Sequence, residues 1–397
     1  MTLKKWIYVA GALLMAPVWA HAQDETTRQV LNEDVVFATR QYGMMLDQVG
    51  RKGEIHNPKT IDKLGRRVYI PDDDWCSGFF AGSLWYLYQL TGDQRWMTQA
   101  HRYTRALDSI QYLKWHHDVG FMIGSSYLNG YRVKPDNNAR KVIVQTAKSL
   151  CTRFRPGAGI IQSWNVDKGW QSERGWRCPV IIDNMMNLEI LFEATRLSGD
   201  STFWKVAVTH ANTTMAHHFR EDGSCYHVVD YDPATGAVLH RQTAQGYADE
   251  SGWARGQAWA VYGYTVCYRY THDTRYLDQA VRTLRYVMHN KNLPLDLVPY
   301  WDFDAPNIPN EPRDASTAAC LASALYEMDG YLPGDGYATL ADCIMMSLST
   351  PAYRAPLGKN GCFLLMHSVG SIPHNNEIDV PLNYADYYFL EALTRRK

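Results

Sequence analysis

Residues 250–287 decide the fold, and they read ESGWARGQAWAVYGYTVCYRYTHDTRYLDQAVRTLRYV. An apolar segment with small residues such as Ala254, Gly256 and Ala258 is followed by the turn Thr-His-Asp and a more amphipathic segment. A helix that is apolar nearly all round is buried on most sides, and small residues let its neighbours approach closely. The stretch therefore predicts a helical hairpin with a buried inner helix and an outer helix.

The same hairpin pattern recurs along the chain. Related segments occupy residues 72–107 and 181–215 with the turns Thr-Gly-Asp and Ser-Gly-Asp, and a weaker copy spans residues 313–348. The stretch NYADYYFLEALTRRK predicts one more inner helix. Two nested layers of helices indicate a closed all-α toroid. An open solenoid is the alternative, but it is expected to keep a stricter repeat length and polar capping units, which the sequence does not show.

Two segments rich in turn residues and aromatic residues are predicted to be long loops, residues 117–131 and 227–251. The second contains Asp-Pro and Thr-Gly at residues 232–236, a signal for a small β-hairpin. Long loops in a compact domain are usually functional. Both segments adjoin predicted inner helices, so we expect them to cover the same end of the toroid.

The N-terminal residues are typical of a secretory signal peptide. Lys4 and Lys5 precede an apolar run, and the sequence AHA at residues 20–22 fits an A-x-A cleavage site. The run is too short to span a bilayer. We therefore expect a signal peptide at residues 1–22, a single catalytic domain at residues 23–397, and export, to the periplasm in a Gram-negative bacterium.

Composition restricts the possible partners. The 40 basic and 41 acidic residues become 38 and 41 without the leader, and this near-neutral balance of −3 predicts no polyanion-binding surface, such as one for nucleic acid. We expect no membrane partner and a monomer or weak dimer. The eight cysteines permit disulfides after export, but Cys267, Cys320 and Cys343 lie in apolar helical patterns, so buried free thiols are expected for most. The known metal and nucleotide motifs are absent, so we expect no metal and no cofactor.

Four stretches give the chain a strong resemblance to a known family. They are WHHDVGFM, IIDNMMNLEILFEAT, HHFREDGSCYHVVDYDPATG and QGYADESGWARGQAWAVYGY, and they follow one another in the family's order. They resemble glycoside hydrolase family 88, the unsaturated glucuronyl hydrolases. The resemblance implies an (α/α)6 barrel and the hydrolysis of oligosaccharides that carry a Δ4,5-unsaturated uronate at the non-reducing end.

The resemblance also implies an unusual reaction for a glycosidase. A proton is delivered to C4 of the C4=C5 enol ether, water adds at C5, and the resulting hemiketal rearranges and releases the partner sugar. The reaction needs an acid that is protonated near the operating pH, a positioned water, aromatic walls and a clamp for the substrate carboxylate. It needs neither a metal nor a cofactor.

Asp183 is the candidate acid. Its neighbours Ile181, Ile182, Met185 and Met186 would disfavour the anion by desolvation and raise its pKa. Residue type alone favours a helix cap. The resemblance instead implies general acid–base catalysis, and the two roles are not exclusive.

Asp118 is the second candidate carboxylate. By residue type it is a turn residue, whereas the resemblance makes it essential, either to hold the substrate or to tune Asp183. A conventional inverting glycosidase would use such a pair as acid and base on opposite sides of a glycosidic bond. The sequence alone leaves that alternative open.

The resemblance also implies that seven residues bind the substrate: His227, Gln245, Trp253, Arg255, Trp259, Trp75 and His117. Arg255 and Trp259 are four residues apart on one helical face, and Arg255 could pair with the uronate carboxylate as a planar fork. The alternative for Arg255 is an ion pair with Asp249 or Glu250. The tryptophans could offer ring faces to a sugar or pack in the core, and a lone histidine is more often structural.

Three other functions stay open at this point. An unsaturated rhamnogalacturonyl hydrolase would use the same barrel and reaction type. A sugar epimerase or isomerase is expected to need paired histidines, and His227 lacks an obvious partner. A non-catalytic sugar-binding protein could keep Trp253 and Trp259 but would have no need of Asp183. Glycosaminoglycan fragments are the expected substrates, and the sequence does not specify which.

Overall fold

The computed structural model describes residues 3–49 and 55–396, with side chains from residue 24 onwards. The predicted signal peptide, residues 1–22, lies outside the residues whose side chains are described, and its removal stays a prediction. Within the described residues, no helix is both long enough and apolar enough to cross a membrane.

Helices dominate the described part of the chain. The α-helices are α1 (Leu3–Val49), α2 (Ser77–Thr91), α3 (Gln94–Ala106), α4 (Val119–Ile123), α5 (Asn129–Val133), α6 (Asn137–Cys151), α7 (Glu189–Ser198), α8 (Ser201–His217), α9 (Ala254–Thr271), α10 (Thr274–His289), α11 (Ala315–Tyr331), α12 (Tyr337–Leu348) and α13 (Asn383–Arg395). The strands are β1 (Asn57–Ile61), β2 (Arg67–Ile70), β3 (Phe154–Arg155), β4 (Ile160–Ile161), β5 (Pro179–Ile181), β6 (Val228–Tyr231), β7 (Val238–Gln242), β8 (Ser368–Ser371) and β9 (Asn376–Val380).

The helices form two nested rings. The inner ring consists of α2, the segment from α4 to α5, α7, α9, α11 and α13, and the outer layer consists of α3, α6, α8, α10, α12 and α1. The last inner helix, α13, packs against the first, α2, and so closes the ring. The predicted (α/α)6 barrel is therefore confirmed, and the open solenoid is wrong.

The turn signature of the hairpins has a local physical cause. The residue before each turn aspartate ends an inner helix in the left-handed conformation: Gly92, Gly199 and His272, with φ of 71°, 77° and 55°. The aspartate then caps the outer helix, because its side chain accepts a backbone N–H of the first turn: Asp93, Asp200 and Asp273. In each hairpin, a left-handed residue that ends the inner helix and an aspartate that caps the outer helix together reverse the direction of the chain.

The prediction of a long loop at residues 117–131 is wrong. Most of this segment is an inner helix, in which a π-helical turn, Gly124–Leu128, joins α4 to α5. A Cβ at Gly120 would lie 2.5 Å from the Cα of Asn187, so only glycine allows this approach. The small residues that look like turn signals are therefore contact positions of a buried helix.

The β-hairpin predicted within residues 227–251 is confirmed. Strands β6 and β7 pair antiparallel, and the Asp232 N–H donates to the Ala237 carbonyl at 2.8 Å across the turn. Strand β5 pairs with β6 on the other side, with Ile181 opposite Val228. This small sheet brings the segment that follows Ile181 beside the residue that precedes Val228.

All eight cysteines lie in the described part of the chain, and all are free thiols. Cys267 and Cys320 are buried, as predicted, in inner helices α9 and α11. Cys343 is exposed, contrary to the reading of its apolar neighbourhood, because it lies on the solvent side of outer helix α12.

Close packing between inner helices generates the first testable prediction. Gly78→Ala is expected to destabilise the protein by about 1–3 kcal/mol, because the added Cβ would lie 2.1 Å from the Met122 carbonyl oxygen, which belongs to the backbone of the next inner segment. Urea unfolding measures the change in the free energy of unfolding.

Gly330→Ala is the matched control. An added Cβ at this helical glycine meets nothing within 4 Å, so the variant is expected to be neutral or more stable by about 0.5–1 kcal/mol. Equal free energies of unfolding for the two variants would contradict the close approach at Gly78.

Candidate active site

The predicted site residues gather at the end of the barrel where the inner helices begin. Trp75, Asp118 and Trp253 lie at or just before the first residues of α2, α4 and α9. Asp183 lies in a 3-10 helix, Ile182–Asn187, just before α7. Segments far apart in sequence therefore meet at one mouth of the ring.

Asp183 is buried, with 6% of its surface exposed, and its side chain caps no helix. Its Oδ2 makes no hydrogen bond to the described residues. Burial raises the pKa of Asp183 to about 7; the Arg255 guanidinium and the nearby Trp259 indole lower it, and the charge of Asp118 raises it. The cap interpretation is wrong, and the raised pKa predicted from the apolar neighbours is confirmed.

Asp118 lies between two histidines. His116 Nδ1 is 3.2 Å from its Oδ2, and His117 Nε2 is 3.3 Å from its Oδ1. Burial alone would raise the pKa of Asp118, but His117, His116 and Arg153 together outweigh burial and hold the pKa below its usual value. Asp118 therefore stays ionised in the pH range in which Asp183 is protonated, as two carboxyls with different roles require.

Asn187 holds the two carboxylate segments together. Its Oδ1 accepts the backbone N–H of Phe121 at 2.8 Å, and its Nδ2 lies 3.4 Å from His117 Nδ1. The missing Cβ of Gly120 gives Asn187 the room to do so. The separation of Asp118 and Asp183 is thus fixed by a buried contact that sequence reasoning missed.

His227 presents a proton donor towards the acid. Its Nδ1 accepts the backbone N–H groups of Ala244 at 3.0 Å and Gln245 at 3.2 Å. An accepting Nδ1 places the single proton of a neutral imidazole on Nε2. Nε2 lies 3.8 Å from Asp183 Oδ2 and has no hydrogen-bond partner among the described atoms. Burial lowers the pKa of His227 well below its ordinary value, so the ring stays neutral.

Arg255 is held by protein partners through its two Nη atoms, while its Nε has no hydrogen-bond partner among the described residues, so pairing with a substrate carboxylate stays a prediction. Its two Nη atoms donate to a carboxylate, a side-chain amide and two backbone carbonyls: Asp314 at 3.2 Å, Gln245 at 2.8 Å, Gly370 at 2.6 Å, and Val369. These four bonds use all the Nη hydrogens. The ion-pair partner is Asp314 from the start of α11, and neither Asp249 nor Glu250 pairs with Arg255.

The bond from Arg255 also orients Gln245. Because the Gln245 Oε1 accepts from Arg255, the amide NH2 group points away from that arginine. No hydrogen bond joins this NH2 group to the described residues, and Gln245 lines a pocket of about 280 Å³. The amide is therefore a donor that a ligand can use.

The walls of this pocket are aromatic. The ring centroids of Trp75 and Tyr384 are 5.0 Å apart, and those of Trp164 and Trp170 are 5.1 Å apart. Flat aromatic faces with a few polar groups between them suit the apolar faces of a sugar ring. Among the described residues, no group of three or more His, Cys, Asp or Glu side chains is arranged to hold a metal ion.

Trp253 and Trp259 do not supply these ring faces, contrary to the prediction. Trp253 is buried against His227, with ring centroids 4.4 Å apart, and the Arg255 guanidinium lies 4.6 Å from the centroid of its ring. Trp259 is fully buried against Phe121, and its Nε1 lacks a partner in the described structure. The two tryptophans therefore hold the reactive side chains in place from behind.

Sequence reasoning missed two walls of the pocket. Trp164, Trp170 and Trp176 lie within 13 residues, WNVDKGWQSERGW, and this density of tryptophan is a signal that could have been used. Lys59 and Glu377 gave no such signal, because their ion pair of 3.0 Å joins β1 to β9 across most of the chain.

Comparisons with known proteins agree on one family. The model of Glycosyl Hydrolase Family 88 matches residues 55–304. An unsaturated glucuronyl hydrolase from Formosa agariphila is 46% identical over 402 residues, which cover 100% of this chain and 99% of that protein. An unsaturated chondroitin disaccharide hydrolase from Streptococcus agalactiae is 31% identical over 378 residues, which cover 93% of this chain and 92% of that protein.

Solved structures give the same result. The crystal structure of an unsaturated glucuronyl hydrolase specific for heparin superposes with a TM-score of 0.88 and 44% identity, covering 93% of this chain and 97% of the other. The enzyme from Bacillus sp. GL1, responsible for the degradation of glycosaminoglycan, superposes with a TM-score of 0.83 and 31% identity, covering 92% and 96%. The chain therefore belongs to glycoside hydrolase family 88.

Proposed function

We propose that this protein is an unsaturated glucuronyl hydrolase. It removes a Δ4,5-unsaturated uronate from the non-reducing end of lyase-generated oligosaccharides by hydrating the C4=C5 double bond. The observation that carries the proposal is Asp183, a buried carboxyl with a raised pKa of about 7 and an oxygen left free by the protein. Such a group is protonated near neutral pH and can give its proton to C4.

The other residues of the site act after C4 has been protonated, when the sugar ring carries a positive charge. Once the C4–H bond has formed, positive charge is shared between C5 and the ring oxygen, and the ionised Asp118 stabilises it. Asp183, now an anion, accepts a proton from the water whose oxygen bonds to C5. The neutral His227 Nε2–H donates to the attacking water or to a substrate oxygen. The hemiketal so formed opens and releases the partner sugar.

The isomerase alternative is not favoured by the titration of the site histidines. Burial lowers the pKa of both His227 and His117, which favours the neutral form of each ring. Because Nδ1 of His227 accepts two backbone hydrogen bonds, only Nε2 of that ring is available for proton transfer. The site therefore favours hydration of an enol ether by a carboxylic acid over isomerisation by a pair of histidines.

Export is part of the proposal. Lyases that cleave extracellular polysaccharides make their unsaturated products outside the cytoplasm, so a hydrolase that follows them is useful in the periplasm. The basic and apolar residues at the N-terminus and the AHA sequence at residues 20–22 support this location.

Replacement of the acid tests the reaction directly. Asp183→Asn is expected to lower kcat by about 100- to 10,000-fold, because an amide cannot donate the proton that C4 requires. Loss of the ultraviolet absorbance of the conjugated uronate in a lyase-generated disaccharide measures the rate. A folded Asp183→Asn enzyme with unchanged kcat would remove the proposed acid.

Asp386→Asn is the matched control. Burial also raises the pKa of Asp386 to about 7, but its oxygens accept hydrogen bonds from Leu364 N, Leu365 N and the Tyr42 hydroxyl. With no free oxygen, it cannot serve as the acid. The variant is expected to keep the wild-type kcat wherever it is folded, and a loss as large as that of Asp183→Asn would argue against the assignment.

The pH profile gives an independent test. Because Asp183 acts in its protonated form and its pKa is raised to about 7, kcat/KM is expected to fall as pH rises through about 7. Asp118, with a lowered pKa, stays ionised across this range and adds no second step there. Initial rates between pH 5 and 9, an interval chosen to span about two units on each side, measure the profile. A kcat/KM that rises through pH 7 would contradict a carboxylic acid donor.

The preferred glycan follows from the relatives that the chain resembles. We infer a heparin-type disaccharide, because the heparin-specific structure shares 44% identity and the chondroitin disaccharide hydrolase 31%. In a panel of lyase products from heparin, chondroitin, hyaluronan and rhamnogalacturonan, with and without sulfate, the heparin-type product is expected to give the highest kcat/KM. A higher kcat/KM on unsaturated galacturonyl-rhamnose would instead support the sister activity.

A further inference from the structure

Asn187 is a fully buried amide whose orientation is fixed by the backbone. One of its two terminal atoms receives the N–H of Phe121 at 2.8 Å, and a backbone N–H can only donate, so this atom is the oxygen. The NH2 group therefore lies on the other side, 3.4 Å from His117 Nδ1. Because an amide NH2 group can only donate, His117 Nδ1 accepts.

This contact determines where the His117 ring carries its proton. When Nδ1 accepts a hydrogen bond, the single proton of a neutral imidazole lies on Nε2. His117 Nε2 is 3.3 Å from Asp118 Oδ1 and makes no hydrogen bond to the described residues. The ring therefore directs the dipole of an uncharged N–H towards the carboxylate.

The surroundings of the ring also oppose a second proton. A proton on Nδ1 would point at the hydrogens of the Asn187 amide, so the contact disfavours the imidazolium. Burial is the largest influence on the pKa of His117 and lowers it, while Asp118 and Asn184 oppose burial. Four bases also interact with the ring: His116, Arg153, His210 and His227. The amide and the burial therefore act in the same direction and favour the neutral ring.

The state of this ring matters for the charge of Asp118. In the proposed reaction, the negative charge of Asp118 stabilises the positive charge that is shared between C5 and the ring oxygen of the sugar. An imidazolium 3.3 Å away would form an ion pair with Asp118 and cancel much of the field that reaches the sugar. A neutral N–H orients the carboxylate and leaves it its full charge.

We propose that Asn187 is a positioning residue of the reaction and acts through His117. Its amide keeps that ring neutral with the proton on Nε2, so that Asp118 keeps its negative charge for the transition state. This role rests on the proposed function, because the charge of Asp118 is useful only in that reaction. It goes beyond joining two segments, for which any side chain that accepts the Phe121 N–H would serve.

Asn187→Asp separates the two roles. An aspartate has the same shape and still accepts the Phe121 N–H with one oxygen, but its other oxygen attracts a proton to His117 Nδ1. At about pH 6 the variant is expected to hold His117 as an imidazolium. We expect kcat to fall by about 10- to 100-fold and KM to change less than about threefold, because the lost charge acts on the transition state.

Two measurements are made on the same samples. Nitrogen NMR of protein labelled in its histidine rings distinguishes the imidazolium from the two neutral tautomers, and the His117 signals are identified by their loss in His117→Gln. Ultraviolet absorbance of a lyase-generated disaccharide gives kcat between about pH 5 and 8. The loss of kcat in Asn187→Asp is expected to follow the fraction of His117 that carries a second proton.

Asn129→Asp is the matched control. Asn129 is also a buried asparagine of the inner ring, but it lies in α5 beside the Tyr387 hydroxyl at 2.9 Å and the Arg132 guanidinium at 3.4 Å. A hydroxyl that can donate and a cation both accommodate a carboxylate. The variant is expected to keep the wild-type kcat and its pH dependence. Urea unfolding of both variants accompanies the kinetics.

A wild-type His117 that is neutral with its proton on Nε2, together with the expected changes in Asn187→Asp alone, would support the role. A wild-type ring that carries its proton on Nδ1, or two protons at about pH 6, would overturn it whether or not Asn187→Asp folds. An imidazolium in Asn187→Asp with wild-type kcat, or an equal loss of kcat in Asn129→Asp, would also overturn it. A wild type inactive on every unsaturated uronate would refute the proposed function and the catalytic role of Asn187 with it, while the NMR spectra would still decide the state of the ring.

Discussion

The chemistry of this barrel depends on one carboxyl oxygen that the protein leaves without a partner. Asp183 and Asp386 are both buried and both have a pKa raised to about 7, yet only Asp183 keeps an oxygen free. A raised pKa therefore does not identify the acid by itself. We propose the acid from the combination of burial, a raised pKa and an oxygen without a hydrogen-bond partner, and we infer that the substrate supplies this partner.

The rest of the site keeps that oxygen in place without bonding to it. Pairing of β5 with β6 sets the acid beside His227, and the backbone N–H groups that occupy His227 Nδ1 turn its other nitrogen towards the acid. Asn187 fixes the distance to Asp118. Arg255 is immobilised by four bonds and contributes its charge, so the groups that act electrostatically need little reorganisation during the reaction.

Local patterns in the sequence predicted the local parts of this structure. The turns after α2, α7 and α9 were recognisable because a left-handed residue followed by a capping aspartate depends only on residues that are close together in sequence. The inner helix at residues 117–131 was not, because Gly120 allows a close contact with Asn187, which is distant in sequence. The partners of Arg255 also escaped prediction, since Asp314, Val369 and Gly370 come from α11 and β8, far along the chain. Geometry of that kind exists only once the ring has formed.

The closure of the ring by α13 against α2 has a consequence for biogenesis. A chain that emerges from its N-terminal end first can assemble the earlier hairpins around an open seam, but the seam is sealed only by the last inner helix. That helix also carries Tyr384 into the pocket wall. The pocket wall is therefore complete only when the last inner helix has packed against the first.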